Sequence, residues 1–481
     1  MIKYLIHYAP AKMIPGLVNF LGLLVYARVF TQEEYGRYSY VLAVLGLIQS
    51  VLFPWIRMSC TRFYQQYKKE NRAIEFENFT FFIFLVVSTI LSVAWVPFII
   101  LYNGEGQIER LFILGLFVVI SQALFEQLMA LLRAKLLSKA FAYNMVLKAI
   151  LRISTALLLV FLFKVNEEAL FIALIVAHSV PIIIYTKKYF TFRWEYFKFS
   201  KSFAKKVFNY GFPLTFTFLL VYIINSSDRI LIQHFLNESA VGLYSIPYEF
   251  TTFTLTNIFM VGSMAFFPVI VKELEHDGIL KSRERISQYS ILLLSITLPS
   301  AIFMIMTARF MAGLLLGENY SSENVVFIIQ LMSIATLLQG FKAYFFDYAF
   351  QLGQNTYKQI IPVIFSAIVN VIANLILIPV YGVVGAVIAT LFSYSIGIIL
   401  SIIIGYKIFP LAFPIKQVVK VLTSNFILLL IMTLIPFNNI NWLNLILIFI
   451  ISVTSYLILL LIFNVKGYRN TLHKILRKKV Y

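Results

Sequence analysis

The residues that could do chemistry in this sequence are ionisable side chains placed inside long apolar stretches. They are Arg28, Arg57, Arg62, Glu126, Lys148, Arg152, Asp228, Arg229, Glu249, Arg309, Lys342 and Asp347. A charge in the hydrocarbon of a membrane is costly unless it faces a cavity or a partner. Each of these residues is therefore a candidate for binding a charged ligand or ion.

The cations differ in how deep they lie within their apolar stretches. Arg57 and Lys342 lie near the middle, from where a side chain reaches water with difficulty, so we expect both to line a cavity and bind an anionic ligand. Arg28 and Arg229 lie near the ends of their stretches, at matching places in a repeat, and join the same predicted site. Lys342 and Asp347 are five residues apart, about 140° around an α-helix, so we expect no internal pair.

The carboxylates form a second predicted group, which could couple transport to a proton or a sodium ion. They are Glu249, Glu126, Asp347 and Asp228. Carboxyl groups inside membranes carry protons or bind ions in many transport proteins. The alternative for each is a salt bridge to another helix.

We expect structural roles for several other polar residues within the apolar stretches. Arg62, Lys148 and Arg152 lie within two or three turns of one end of their spans, and we expect their side chains to extend to the interface. His178 is expected to be a hydrogen-bonded packing residue. The single cysteine, Cys60, excludes an intrachain disulfide and a multi-cysteine metal site, and we expect neither a metal nor a cofactor.

The apolar stretches predict an all-α polytopic membrane protein. The sequence is 60% hydrophobic and only 13% charged, too little charge to cover a soluble protein of 481 residues. About fourteen stretches have the length that spans a bilayer. They are residues 8–30, 38–65, 78–101, 110–131, 144–163, 169–186, 207–233, 240–271, 287–313, 324–352, 359–378, 382–406, 420–436 and 441–464. No small-residue cleavage site follows the first, so we expect no cleavable signal peptide.

The distribution of charge predicts the orientation of the chain. Most lysines and arginines fall in alternate loops, and the opposite loops are acidic. Positive loops face the cytoplasm, so both termini are expected there. The same asymmetry accounts for the net charge of +19, because the positive loops are attracted to the anionic lipids of the inner leaflet. It therefore argues against nucleic acid as a partner. Residues 187–206, basic and aromatic, are expected to lie on the inner membrane surface.

A weak internal repeat suggests two similar halves. After one apolar run, Thr31-Gln32-Glu33-Glu34 precedes Gly36-Arg37-Tyr38-Ser39, and after another, Asn237-Glu238 precedes Gly242-Leu243-Tyr244-Ser245. Repeats of this kind are typical of transporters with a site between the halves. Further on, Asn370 and Asn374 precede Pro379-Val380-Tyr381-Gly382, followed by small residues whose spacing lets helices pack closely.

These three motifs together resemble the signatures of polysaccharide flippases in the multidrug/oligosaccharidyl-lipid/polysaccharide exporter superfamily. The resemblance implies two six-helix lobes in a V around a central cavity, with two additional helices at the end. The implied parts are an N-lobe (1–186), a basic cytoplasmic linker (187–206), a C-lobe (207–406), two last spans (407–464) and a basic cytoplasmic tail (465–481).

The resemblance also implies a function, in the cytoplasmic (inner) membrane of a bacterium. A polyprenyl-pyrophosphate-linked glycan would cross from the inner to the outer leaflet by alternating access, with the lipid tail along the last two helices. A polysaccharide polymerase is an implied partner. The alternatives are a flippase for the peptidoglycan lipid precursor and an ion-coupled drug exporter. An enzyme is not expected, because the outer loops are short and His178 has no catalytic partner in the sequence.

Overall fold

The computed structural model describes residues 2–102, 106–189, 201–435 and 440–465, and most of these residues are helical. The chain forms two compact units, Met1–Gly242 and Leu243–Tyr481. The boundary between them lies inside a helix. The lobes expected from the sequence divide earlier, in the linker 187–206, and that division stays a prediction. Residues 190–200 of the linker and the tail from residue 466 lie outside the described residues.

The first unit contains eight complete helices and the first turn of a ninth. They are α1 (Ile2–Val29), α2 (Gln32–Leu52), α3 (Pro54–Lys69), α4 (Ala73–Leu101), α5 (Gly106–Ala134), α6 (Ser138–Phe163), α7 (Glu168–Tyr189), α8 (Lys201–Phe235) and the start of α9 (Glu238–Asp277). Within this unit α6 packs against α1 and α7, and α5 packs against α7 and α3.

Two sequence features shape the first unit. Pro54 occupies the first turn of α3, where its missing N–H costs no hydrogen bond, and the axis bends by 45° between α2 and α3. Phe203, at the start of α8, packs its ring against Tyr67 and Phe79, with ring centroids 4.8 and 4.3 Å apart. This aromatic contact joins α8 to α3 and α4, so α8 belongs to the first unit.

The second unit continues from α9 to the end of the described chain. Its further helices are α10 (Ile279–Met306), α11 (Ala308–Phe310), α12 (Glu323–Phe341), α13 (Tyr348–Leu352), α14 (Ile360–Ile408), α15 (Ile415–Thr433) and α16 (Trp442–Ile462). A π-helical segment, Lys342–Phe346, connects α12 to α13. Within this unit α12 packs against α14 and α10, and α15 packs against α10 and α16.

The predicted turn before Gly382 is present as a break inside α14. Gly382 has φ 59° and ψ −140°, a conformation that only glycine adopts without strain. Beyond the break, a Cβ atom on Gly385 would lie 2.2 Å from the carbonyl oxygen of Leu377. The small residue at this position is therefore needed for the close approach that the motif predicted.

The all-α polytopic fold is confirmed, but the expected count of fourteen spans is not. Ten helices in the described residues are long and apolar enough to cross a membrane, or eleven if the bent pair α2–α3 is one span. The difference has two sources: α14 contains two of the expected spans, and Ile14–Val29 and Glu168–Ile184 are apolar but short.

Candidate functional site

The two copies of the sequence repeat meet in the first unit, where α2 and α9 begin side by side. A Cβ atom on Gly36 would lie 1.8 Å from the carbonyl oxygen of Glu238, and one on Gly242 would lie 1.8 Å from that of Gln32. Each glycine thus packs against a backbone carbonyl of the other helix. That carbonyl belongs to the residue four positions before the other helix's glycine. The hydroxyl of Ser239 also donates to the side chain of Gln32, over 3.2 Å.

Arg37 connects three helix starts beside this contact. Its guanidinium donates to Glu167 over 2.6 Å, to Glu33 over 2.5 Å and to Glu238 over 3.1 Å. The Arg37 and Glu167 side chains are 5% and 2% exposed, so the pair is buried. This cluster was not among the predicted site residues, although Arg37 stands next to the repeat glycine, a position that could have revealed it.

Arg57 and Glu126 form an ion pair inside the first unit. Arg57 Nη1 donates to Glu126 Oε2, and the amide of Gln122 donates to the other carboxylate oxygen over 3.2 Å. The guanidinium of Arg57 also lies 5.3 Å from the ring centroid of Phe218. Both charged side chains stay partly exposed, at 25% and 31%. Two roles were predicted for Glu126, ion coupling or a salt bridge to another helix, and the salt bridge is observed.

Two further cations lie one turn apart on α6, and their extension to the membrane interface stays a prediction. The ammonium group of Lys148 lies 4.9 Å from the ring centroid of Phe125, and Arg152 Nη2 donates to the hydroxyl of Tyr38 over 3.0 Å. Both cations are partly buried and make ring and hydroxyl contacts within the unit.

His178 packs against Phe125 and differs from its predicted role. Its ring is 5.6 Å from that of Phe125, centroid to centroid, and the residue is 1% exposed. Neither ring nitrogen has a hydrogen-bond partner among the described residues. The prediction of a hydrogen-bonded packing histidine is therefore wrong.

Lys342 and Asp347 form a buried ion pair in the second unit, where the sequence predicted none. Lys342 Nζ lies 2.9 Å from Asp347 Oδ2, and the two side chains are 8% and 3% exposed. The reason is the π-helical segment, in which the N–H of Asp347 donates to the carbonyl of Lys342, five residues earlier. The wider turn places residues five apart nearly above one another, so the two side chains can meet. Gln359 and Ser401 also donate to the carboxylate.

The other predicted site residues lie on α1, α8 and α9. Arg28 is exposed in the last turn of α1. Asp228 and Arg229 are buried on α8, and Arg229 donates to the backbone carbonyl of Asn225 over 3.0 Å. Glu249 is partly buried on α9. Within the described residues, no group of three or more His, Cys, Asp or Glu side chains could hold a metal ion.

An apolar cavity of about 730 Å³ lies within the second unit. It is bounded by α9, α10, α15 and α16, with Pro299, Phe303, Phe449 and Leu457 among its lining residues. Its hydroxyl-bearing lining residues include Thr254 and Ser452. A cavity of this kind suits a hydrocarbon chain.

The fold is that of a polytopic α-helical membrane protein. A solved structure of the lipid II flippase MurJ, in an inward closed conformation, matches with a TM-score of 0.74 over 95% of this chain and 99% of that one, at 15% identity. At that identity the match shows the fold alone.

The family is shown by the sequence itself. Residues 3–274 match the polysaccharide biosynthesis protein family, and the chain belongs to it. The capsular polysaccharide biosynthesis protein CapF of Staphylococcus aureus is 22% identical over 83% of this chain and 98% of its own length. The probable flippase AglR of Haloferax volcanii is 26% identical over 45% of this chain and 44% of its own. The family resemblance found in the motifs is thus confirmed.

Proposed function

We propose that this protein is a flippase for polyprenyl-pyrophosphate-linked oligosaccharide in the cytoplasmic membrane. It moves the cargo from the inner to the outer leaflet by alternating access, for surface polysaccharide biosynthesis. Both termini are cytoplasmic, and a polysaccharide polymerase is a partner on the outer side. A proton or sodium ion drives the cycle, with Glu249 and Asp228 as the carboxylates that respond to it.

The observation that carries this proposal is the charge inside the first unit. Lys148 and Arg152 lie on the apolar helix α6, and Arg57 lies on the bent pair α2–α3, which together is apolar enough to span a membrane. The Glu126 carboxylate pairs with Arg57. Cations kept at such a cost favour an anionic cargo. Arginine and lysine are the usual partners of phosphate groups, so a pyrophosphate fits this charge. Lys342 contributes less than the sequence suggested, because Asp347 neutralises it.

The apolar cavity of the second unit supports the lipid part of the cargo. It lies against α15 and α16, the helices along which the family resemblance places the tail. Because the tail moves from one hydrocarbon environment to another, van der Waals packing and not removal from water would hold it there. Part of a polyprenyl chain in this cavity would hold the carrier while the charged head group crosses.

The two alternatives from the sequence fit these features differently. An ion-coupled drug exporter for cationic compounds would carry an acidic interior, whereas the first unit has an excess of cations. A flippase for the peptidoglycan lipid precursor would use the same cationic interior and apolar cavity. The glycan of the transported carrier distinguishes that alternative from the proposed function.

The test is transport in proteoliposomes that contain the purified full-length chain. A fluorescent oligosaccharide on polyprenyl pyrophosphate is compared with the same glycan on polyprenyl monophosphate, and with the disaccharide-pentapeptide of the peptidoglycan precursor. Exposure to a membrane-impermeant quencher reports the leaflet. We expect transport of the pyrophosphate-linked oligosaccharide and its loss in Arg57→Gln.

The matched control is Arg62→Gln, on the same helix. Arg62 also has its guanidinium near an aromatic ring, 5.8 Å from the centroid of Phe63, but it is exposed. This variant should transport like the wild type. Equal transport by Arg57→Gln and the wild type would contradict the proposed role of the cationic interior, and preferred transport of the peptidoglycan precursor would favour the alternative.

A further inference from the structure

We propose that a groove on the surface of the first unit, here called the α8 groove, binds an anionic phospholipid of the surrounding bilayer. Its lining residues come from three helices: Lys201, Ala204, Lys205 and Phe208 of α8, Trp55 of α3 and Ile83 of α4. The ligand is a membrane lipid and not the transported cargo, so this inference goes beyond the proposed function and does not depend on it.

The α8 groove combines two positive charges with apolar walls. Its volume is about 400 Å³, and its lining residues other than the lysines are apolar or aromatic. The indole N–H of Trp55 already donates to the carbonyl of Leu52 over 2.7 Å, and its ring lies edge-on to Phe208 with centroids 5.7 Å apart. Trp55 therefore offers the groove an apolar surface. A ligand that fits has an anionic part and an apolar part.

The two lysines of the groove lack a negative partner among the residues that the structure describes. Lys201 and Lys205 are exposed and four residues apart, so they project from the same face of α8 and repel each other. The next residue, Lys206, is different, because its ammonium group donates to Gln66 over 3.1 Å and lies 4.9 Å from the ring centroid of Phe63. A phosphate group bound between Lys201 and Lys205 would remove their repulsion, and lysine is a usual partner of phosphate.

A row of exposed aromatic rings continues from the lysines along α8. Phe208, Phe212 and Phe216 follow at intervals of four residues and are 43%, 38% and 53% exposed. The rings of Phe208 and Phe212 stack with centroids 4.6 Å apart, and Phe216 lies edge-on to Phe212 at 5.6 Å. An acyl chain would lie along these rings while its phosphate stays at the lysines. This arrangement fits a phospholipid better than a soluble anion.

The predicted orientation places the α8 groove where anionic phospholipids are found. The charge distribution of the loops puts the start of α8 on the cytoplasmic side. The cytoplasmic leaflet carries anionic lipids, and basic pockets between helices on that side bind their head groups. Tryptophan is also enriched at this depth of a membrane. A lipid in the groove would contact α3, α4 and α8 together and would stabilise the attachment of α8 to the first unit.

Native mass spectrometry of the full-length protein, released from neutral detergent micelles, tests the α8 groove by counting bound lipids. The probes are dioleoyl phosphatidylglycerol, dioleoyl phosphatidylcholine and a polyprenyl monophosphate. We expect one phosphatidylglycerol to bind more tightly than phosphatidylcholine. Lys205→Gln should weaken this binding about fivefold and Lys201→Gln/Lys205→Gln about thirtyfold, from the contribution of each lysine near an anionic lipid. Phe212→Ala should weaken it about threefold through lost ring contacts.

The matched control is Lys206→Gln, which removes the same charge one position further along α8 but outside the groove. It should bind phosphatidylglycerol within about twofold of the wild type. The inference is overturned if phosphatidylglycerol binds no more tightly than phosphatidylcholine, or if Lys201→Gln/Lys205→Gln binds it like the wild type. Equal losses in Lys205→Gln and Lys206→Gln would also overturn it, because they would indicate a diffuse attraction to positive charge. Tighter binding of the polyprenyl monophosphate, with the same loss in the double variant, would assign the groove to the carrier instead.

Discussion

Replacing Asp347 with asparagine should destabilise the second unit, because it leaves the ammonium group of Lys342 buried without a negative charge. The pair is closed at 2.9 Å, with side chains 8% and 3% exposed. Removing one partner of a buried ion pair costs about 3–5 kcal/mol. Ser401 and Gln359 can still donate to the asparagine oxygen, so we expect the lower end, about 3 kcal/mol.

The double variant Lys342→Met/Asp347→Asn shows whether the loss of stability comes from the unpaired charge of Lys342 or from the substitution of Asp347 itself. Methionine keeps the length and apolar stem of lysine, so no unpaired charge remains, and the double variant should be within about 1 kcal/mol of the wild type. The free energy of unfolding is measured by titration with sodium dodecyl sulfate in mixed micelles. A loss below about 1 kcal/mol in Asp347→Asn, or a double variant less stable than that single variant, would refute the reasoning.

Transport by the same double variant tests the sequence prediction for Lys342. If the lysine serves only to neutralise Asp347, the stable double variant transports the glycan at the wild-type rate. If Lys342 contacts the cargo, as its depth in the sequence suggested, transport is lost while stability is kept. The two roles therefore give different results in one protein.

Two further predictions concern the start of α2. Gly36→Ala should destabilise the first unit by about 1–3 kcal/mol, since its Cβ atom would lie 1.8 Å from the carbonyl oxygen of Glu238. The control is Gly106→Ala, which should not destabilise the protein, because a Cβ atom there meets nothing within 4 Å. Equal losses of stability in the two variants would contradict the packing argument. Arg37→Gln should cost about 3 kcal/mol in the same titration, because it leaves the 2%-exposed carboxylate of Glu167 without its guanidinium, and an unchanged free energy of unfolding would contradict that role.

The helices and their turns could be predicted from the sequence because their causes are local. Thr31 and Glu34 form the capping box that begins α2, with hydrogen bonds of 3.2 and 2.8 Å. Asn237 similarly accepts a hydrogen bond from the N–H of Ala240 at the start of α9. Pro54 and Gly382 mark the bend and the break that are observed. Each signal lies within a few residues of the structure that it predicts.

The pairing of the charges could not be predicted in the same way. Arg57 and Glu126 are 69 positions apart, and only the packing of α3 on α5 brings them together. Lys342 and Asp347 are close in sequence, but their contact depends on a π-helical segment whose wider turn no apolar pattern reveals. Depth within a span identified which residues are costly to bury. It did not identify their partners.

The paired glycines have an electrostatic consequence. An α-helix carries roughly half a positive charge at its N-terminus, and the glycines bring the N-termini of α2 and α9 together. Two such termini repel each other unless negative groups lie beside them. Glu33, Glu34 and Glu238 in the two first turns supply that charge. The glycines permit the approach and the acids make it favourable, so a chain that keeps one feature also needs the other.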